Sequence, residues 1–148
     1  MPENNDPAIA RFRHFSRFYT ALLGLLDDRL LHSPLILAQC RLLFEIGSRP
    51  DCTAGELGRT LGMDRGQLSR TLGGLERKGL LLRAPHPVDR RALRLRLTQS
   101  GCELLAVLDR RSGEQVADLL AGLAPEQRDR LCRAMAEIES LLSPPPAP

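Results

Sequence analysis

The 148-residue sequence has no apolar run approaching the roughly 20 residues of a membrane-spanning helix. A helical integral membrane protein is therefore excluded, and no membrane partner is expected. The first residues, MPENNDPAIARF, are polar and acidic and form no apolar signal segment, so the expected compartment is the cytoplasm. The four cysteines, Cys40, Cys52, Cys102 and Cys132, contain no CxxC pair. Neither they nor the scattered His14, His32 and His86 have zinc-ligand spacing. No metal or other cofactor is expected, and the thiols read as ordinary buried or surface groups in a reducing cytosol. There is no GxSxG elbow, phosphate-cradling glycine loop or plausible catalytic triad, so an enzyme is not expected. No internal repeat and no linker divides the chain, which reads as a single domain over residues 1–148.

What is present is an uneven charge. The net charge is only +3. Between Arg59 and Arg96, however, ten basic residues stand against Asp64, Glu76 and Asp89, a local charge of +7 that leaves −4 for the rest. A basic block on a mildly acidic body points to an anionic partner for that block. All but one of the basic residues are arginine, the exception being Lys78.

Apolar spacing assigns the elements. Phe12, Phe15, Tyr19, Leu22, Leu26 and Leu30 recur at three- and four-residue steps, and Phe18, Leu23 and Leu25 add a second stripe. The spacing predicts a helix over about 7–32, apolar on more than one side and so buried by several neighbours or by another chain. A second helix carries Leu35, Ala38, Leu42 and Ile46 on one face. Thr53 and Glu56 form a capping box that opens a short helix ending at Gly62. Asp64 caps the next helix only three residues on, the size of turn a helix-turn-helix uses. That motif spans about 53–79.

At 100° per residue, Leu68, Leu72, Leu75 and Gly79 share the core side of its second helix. Gly66, Arg70, Gly73 and Arg77 lie opposite, with Gln67, Ser69 and Gly74 on the flanks and Arg65 in the first turn. Glycine inside a helix costs up to about 1 kcal/mol, so several on an exposed face either weaken it or permit close approach to another surface. Leu80 to Ala84 and the alternating Leu93 to Thr98 predict two strands. Between them lies a proline-rich tip with adjacent Arg90 and Arg91, giving a wing over about 80–98. A long helix capped by Thr98 and a last helix begun by Pro125 cover about 99–143. The tail 144–148 reads as stiff and disordered.

Helix, tight turn, helix and basic hairpin make a winged helix-turn-helix, mainly α with a small β-wing. Its second helix has the width that the major groove of B-DNA admits. The hairpin tip can lie along the adjacent minor groove, whose negative potential draws arginine.

The order of elements resembles the MarR family of transcriptional regulators over nearly the whole chain. The resemblance is carried by LSRTLGGLERKGLLLR (68–83), the tip DRRA (89–92) and LTQSG (97–101). The stretches RFRHFSRFYTALLG and LDRRSGEQVADLL are similar to the regulator half of proteins that fuse this domain to a GNAT-type acetyltransferase. The chain is read as a stand-alone regulator without that activity. The resemblance implies an intertwined homodimer built by the helices at about 7–32 and 99–143. It also implies binding to a pseudo-palindromic operator on double-stranded DNA, commonly as a repressor, and modulation by a small aromatic or anionic effector. The residues it implies for DNA contact are Thr53, Arg65, Gly66, Gln67, Ser69, Arg70 and Arg77, with His86, Asp89, Arg90 and Arg91 in the wing. Asp89 is expected to orient Arg91. Relatives often carry small hydroxyl residues where this chain has Gly66 and Gln67, so the operator sequence does not carry over. Two other readings stay open: a winged helix that binds protein alone, and a thiol-based redox-sensing regulator.

Overall fold

Asp6 opens the first helix by accepting a hydrogen bond from Ala8 N at 2.8 Å, with Pro7 in the first turn where a missing N–H costs nothing. The computed structural model describes residues 6–25 and 30–144. Helix α1 (Pro7–Leu22) is followed by a 3-10 turn at Leu30–His32, α2 (Leu37–Ser48), α3 (Ala54–Leu61) and α4 (Arg65–Arg77). Strands β1 (Leu81–Pro85) and β2 (Leu93–Leu97) come next, then α5 (Gln99–Ala121) and α6 (Pro125–Leu142).

The long first helix expected to reach residue 32 stops ten residues early. Leu23 caps it, and Gly24 follows with φ 63°, a left-handed conformation that glycine adopts freely. Leu30 belongs to the separate 3-10 turn, in which Leu31 and His32 have φ of 53° and 55°. Leu26, counted in the apolar stripe, lies outside the described residues, as do positions 145–148 of the tail. The other boundaries agree with the spacing to within a residue or two.

The chain divides into two compact units, residues 1–110 and 111–148. The first holds the core: Leu35, Leu42, Leu43 and Ile46 from the α2 region, Leu57 from α3, Leu68, Leu72 and Leu75 from α4, Leu81 and Leu95 from the strands, and Leu108 from α5. Neither α1 nor α6 has a buried residue.

The strands form an antiparallel pair in register from Leu81 opposite Leu97 to Pro85 opposite Leu93. A third short segment joins them. Leu95 N donates to Cys52 O at 2.8 Å, and Thr53 bridges to Arg94 in antiparallel sense. Asp51, at φ 67°, ion-pairs with Arg96 at 2.8 Å and Arg94 at 3.4 Å. The wing is thus tied to the start of α3. At its base Thr98 donates to Gly79 O at 2.6 Å and accepts from Gly101 N at 3.0 Å, so one hydroxyl links the turn after α4 to the start of α5. Gly101 is required there, because a Cβ would meet the Leu80 carbonyl oxygen.

Two glycine readings change. Gly79 does not share the core face of α4; it ends the helix at φ 70° and is exposed. Gly74, placed on an outer flank, is buried against α2, where a Cβ would sit 2.7 Å from Gln39 Nε2. The surface it approaches is the chain's own. Lys78 completes that junction by donating to Pro34 O at 2.9 Å and Gln39 Oε1 at 3.3 Å.

Candidate nucleic-acid interface

The two halves of the site are built by different local devices. In α3 the Thr53 hydroxyl accepts from Glu56 N at 3.3 Å, and the Glu56 carboxylate accepts from Thr53 N at 2.7 Å. The Thr53 amide bond, and a second bond in which the Thr53 hydroxyl donates to the same carboxylate at 3.2 Å, hold the Glu56 carboxyl below its usual range, with Arg59 and His86 contributing. The Thr53 side chain is occupied by this cap. Gly62, left-handed at φ 61°, turns the chain so that Asp64 can cap α4 by accepting from Gln67 N at 2.9 Å. Arg65, Gly66, Gln67, Ser69 and Arg70 are all exposed on the first two turns. Positive partial charge gathers at this helix start.

The glycines of α4 shape where its arginines lie. A Cβ on Gly66 would come within 3.6 Å of Arg70 Nη1, and one on Gly73 within 3.5 Å of Arg77 Nη1. Helix side chains lean toward the N-terminus, so each arginine folds back over the bare turn four residues before it. Arg77 therefore lies at the opposite end of α4 from the first-turn residues.

The wing tip, residues 86–92, is ordered by its own hydrogen bonds. His86 N donates to Ala92 O and Ala92 N to Asp89 O, both at 3.1 Å. His86 Nδ1 accepts from Val88 N at 3.2 Å and Asp89 N at 3.1 Å. An Nδ1 used as acceptor places the ring proton on Nε2, leaving that edge as a donor. Asp89 Oδ1 accepts from the backbone N of Arg91 at 3.0 Å. The carboxylate thus positions Arg91 through its main chain rather than by gripping the guanidinium.

Ion pairing sorts the basic block into two classes. Arg83 pairs with Glu76 at 2.6 Å, and Arg94 and Arg96 share Asp51. These three stem arginines are ion-paired within the fold, against two carboxylates. Among the described residues, Arg65, Arg70, Arg77, Arg90 and Arg91 have no acidic partner within ion-pair distance. Within the block, the cations without an acidic partner are those on the α4 face and at the wing tip, with Arg59 on α3, while Lys78 is held at the α2 junction. The sequence could not separate the two classes, because Asp51 lies more than 40 residues before Arg94.

Away from this face, burial pushes the Cys40 and Cys52 thiols above their usual values, while Cys102 and Cys132 are exposed. Among the described residues no group of His, Cys, Asp and Glu is placed to hold a metal, and no helix is long and apolar enough to cross a membrane. A groove of about 440 Å³ is lined by apolar Met63, Leu68 and Leu72 and by Arg59, Arg65 and Arg83.

Similar architectures are known. Apo MarR from E. coli matches over 85% of this chain and 94% of its own, at 25% identity and a TM-score of 0.71. Streptococcus pneumoniae FabT, solved in complex with DNA, matches over 93% and 97% at 23% identity with a TM-score of 0.75. The PcaV transcriptional regulator of Streptomyces coelicolor, solved with its natural ligand, matches over 94% and 95% at 21% identity with a TM-score of 0.66. The sequence model of the MarR family itself matches residues 33–92, from the turn before α2 through the wing tip. With the capped α4 and two-stranded wing in place, residues 33–92 match the MarR family and the chain shares the fold of that family's solved structures.

Proposed function

We propose that this protein is a sequence-specific DNA-binding transcriptional regulator, a repressor acting as a homodimer on a pseudo-palindromic operator and modulated by a small effector. The observation that carries the reading is the sorting of charge. Arginines in the hairpin stem are paired internally, and those on the α4 face and wing tip are left for a partner. An apolar protein-binding module has no use for that division, whereas phosphate does.

In this reading Arg65, Gln67 and Ser69 meet base edges in the major groove, and Gly66 lets the backbone approach closely. Arg70 and Arg77 meet phosphates. Thr53 contributes by holding the start of α3 toward the backbone. His86, through Nε2, and Arg90 and Arg91 engage the minor groove, on the tip that Asp89 stabilises. The DNA seen with FabT and the ligand seen with PcaV support the two kinds of partner. A small aromatic acid suits the groove with an apolar and an arginine-lined side, and there it would compete with DNA for Arg65.

The test separates helix from wing on a bound operator fragment recovered by genome-wide footprinting. Gln can make a bidentate contact to adenine, a contact worth about 1–3 kcal/mol. Gln67→Ala is expected to lower operator affinity and relax preference at one base pair per half-site, with the salt dependence unchanged. Arg91→Ala is expected to weaken operator and unrelated DNA alike and to flatten log K against log salt by about one counterion per protomer. Binding of wild type that is insensitive to salt would refute the DNA reading.

A further inference from the structure

Val88 is 87% exposed, the highest value among the large hydrophobic residues described. A single exposed valine is ordinary on a protein surface. This one is not loosely placed. Its amide is bonded to His86 Nδ1, the next amide shares that acceptor, and Asp89 and Ala92 close the turn behind it. The tip therefore holds two methyl groups out into solvent beside the unpaired Arg90 and Arg91.

We propose that Val88 is an apolar reader of the DNA minor groove, disfavouring G·C pairs beneath the wing. This rests on the DNA-binding reading above and specifies the substrate of the same site. In the minor groove A·T pairs show only acceptors, and G·C adds the guanine N2 amino donor. The deoxyribose walls of the groove are apolar and accept methyl contact from any sequence. Valine offers nothing to accept a hydrogen bond, so a guanine amino group pressed against it loses its water without replacement. Arginine alone reads the width and potential of the groove; the valine adds a penalty tied to one exocyclic group.

The test uses poly(dG-dC) and poly(dI-dC), which differ only in that inosine lacks this amino group. Wild type is expected to bind poly(dI-dC) about five-fold or more tightly than poly(dG-dC), the cost of one unsatisfied donor. Val88→Thr keeps the shape and supplies a hydroxyl acceptor. It is expected to bring the ratio to within about two-fold, with the salt slope unchanged because no charge is altered. Val88→Ala, which withdraws the methyls from the groove, is expected to fall between. The side chain packs on nothing in the core, so thermal midpoints of all three proteins are expected to coincide. A ratio unchanged in Val88→Thr overturns this proposal and leaves DNA binding standing. Failure of wild type to bind either polymer in a salt-dependent way overturns the DNA-binding reading and this proposal with it.

Discussion

Asp89 places a negative charge on a loop with two free arginines, where repulsion from phosphate argues for its removal. Its geometry argues for keeping it, because Oδ1 holds the Arg91 amide and its carbonyl holds Ala92 N. The two effects are separable. Asp89→Asn keeps the acceptor and loses the charge, and is expected to bind duplex DNA at least as tightly as wild type. Asp89→Ala loses both and is expected to bind more weakly despite the more favourable charge. Fluorescence anisotropy at several salt concentrations measures both. If Asp89→Ala binds more tightly than wild type at every salt concentration, the turn does not depend on that bond. The Asp-x-Arg pattern was legible in the sequence. That it acts on a backbone amide was not, because a motif names the partners and leaves the atoms open. His86 is the same case: adjacency suggested a contact residue, and the structure makes it the acceptor for two tip amides as well.

Among the elements, those with local signals were legible. Thr53, Glu56, Gly62 and Asp64 each satisfy a helix end from within four residues, and each does so as the spacing predicts. Where a tertiary contact or a single punctuating residue decided, the reading failed. Apolar periodicity ran on past Gly24, whose positive φ ends α1. The pairing of residues 52 and 53 with β2 left no trace, because two residues carry no periodicity. The capping box of α3 also makes a pH prediction. Hydrogen bonds from the Thr53 amide and hydroxyl hold the Glu56 carboxyl low. The stability it contributes is therefore fully present above the ordinary glutamate value of about 4.3 and lost as pH falls through the lower folded value. Acidification from about pH 6 to about pH 3 is expected to lower the thermal midpoint less steeply in Glu56→Gln than in wild type, since the amide can still accept from Thr53 without titrating. Equal slopes would show that the cap is not charge-dependent.

For the whole molecule, the governing feature is exposed apolar surface. Phe12, Phe18 and Tyr19 on α1 are 53%, 55% and 42% exposed, and Leu141 and Leu142 on α6 are 73% and 61%. Helices with no buried residue and this much apolar area are normally covered by another chain. Light scattering at micromolar concentration is expected to give twice the 16.4 kDa chain mass. Removing the residues after Ala124 is expected to leave insoluble or monomeric protein. A folded monomer competent to bind DNA would sink the homodimer. The sequence announced the surplus through the doubled stripe of the first helix. It could not show what covers it, because a partner chain leaves the same pattern as an internal neighbour.

The way the wing tip is held has a consequence for how such a protein diverges. Its hydrogen bonds use main-chain groups and the side chains of only two residues, His86 and Asp89. Positions 88, 90 and 91 are exposed, and none of the tip's hydrogen bonds comes from their side chains. Substitutions there are expected to pass without penalty to folding. A lineage can thus drift through alternative groove preferences one residue at a time, and a duplicated copy can acquire new sites on the chromosome without first acquiring spare stability.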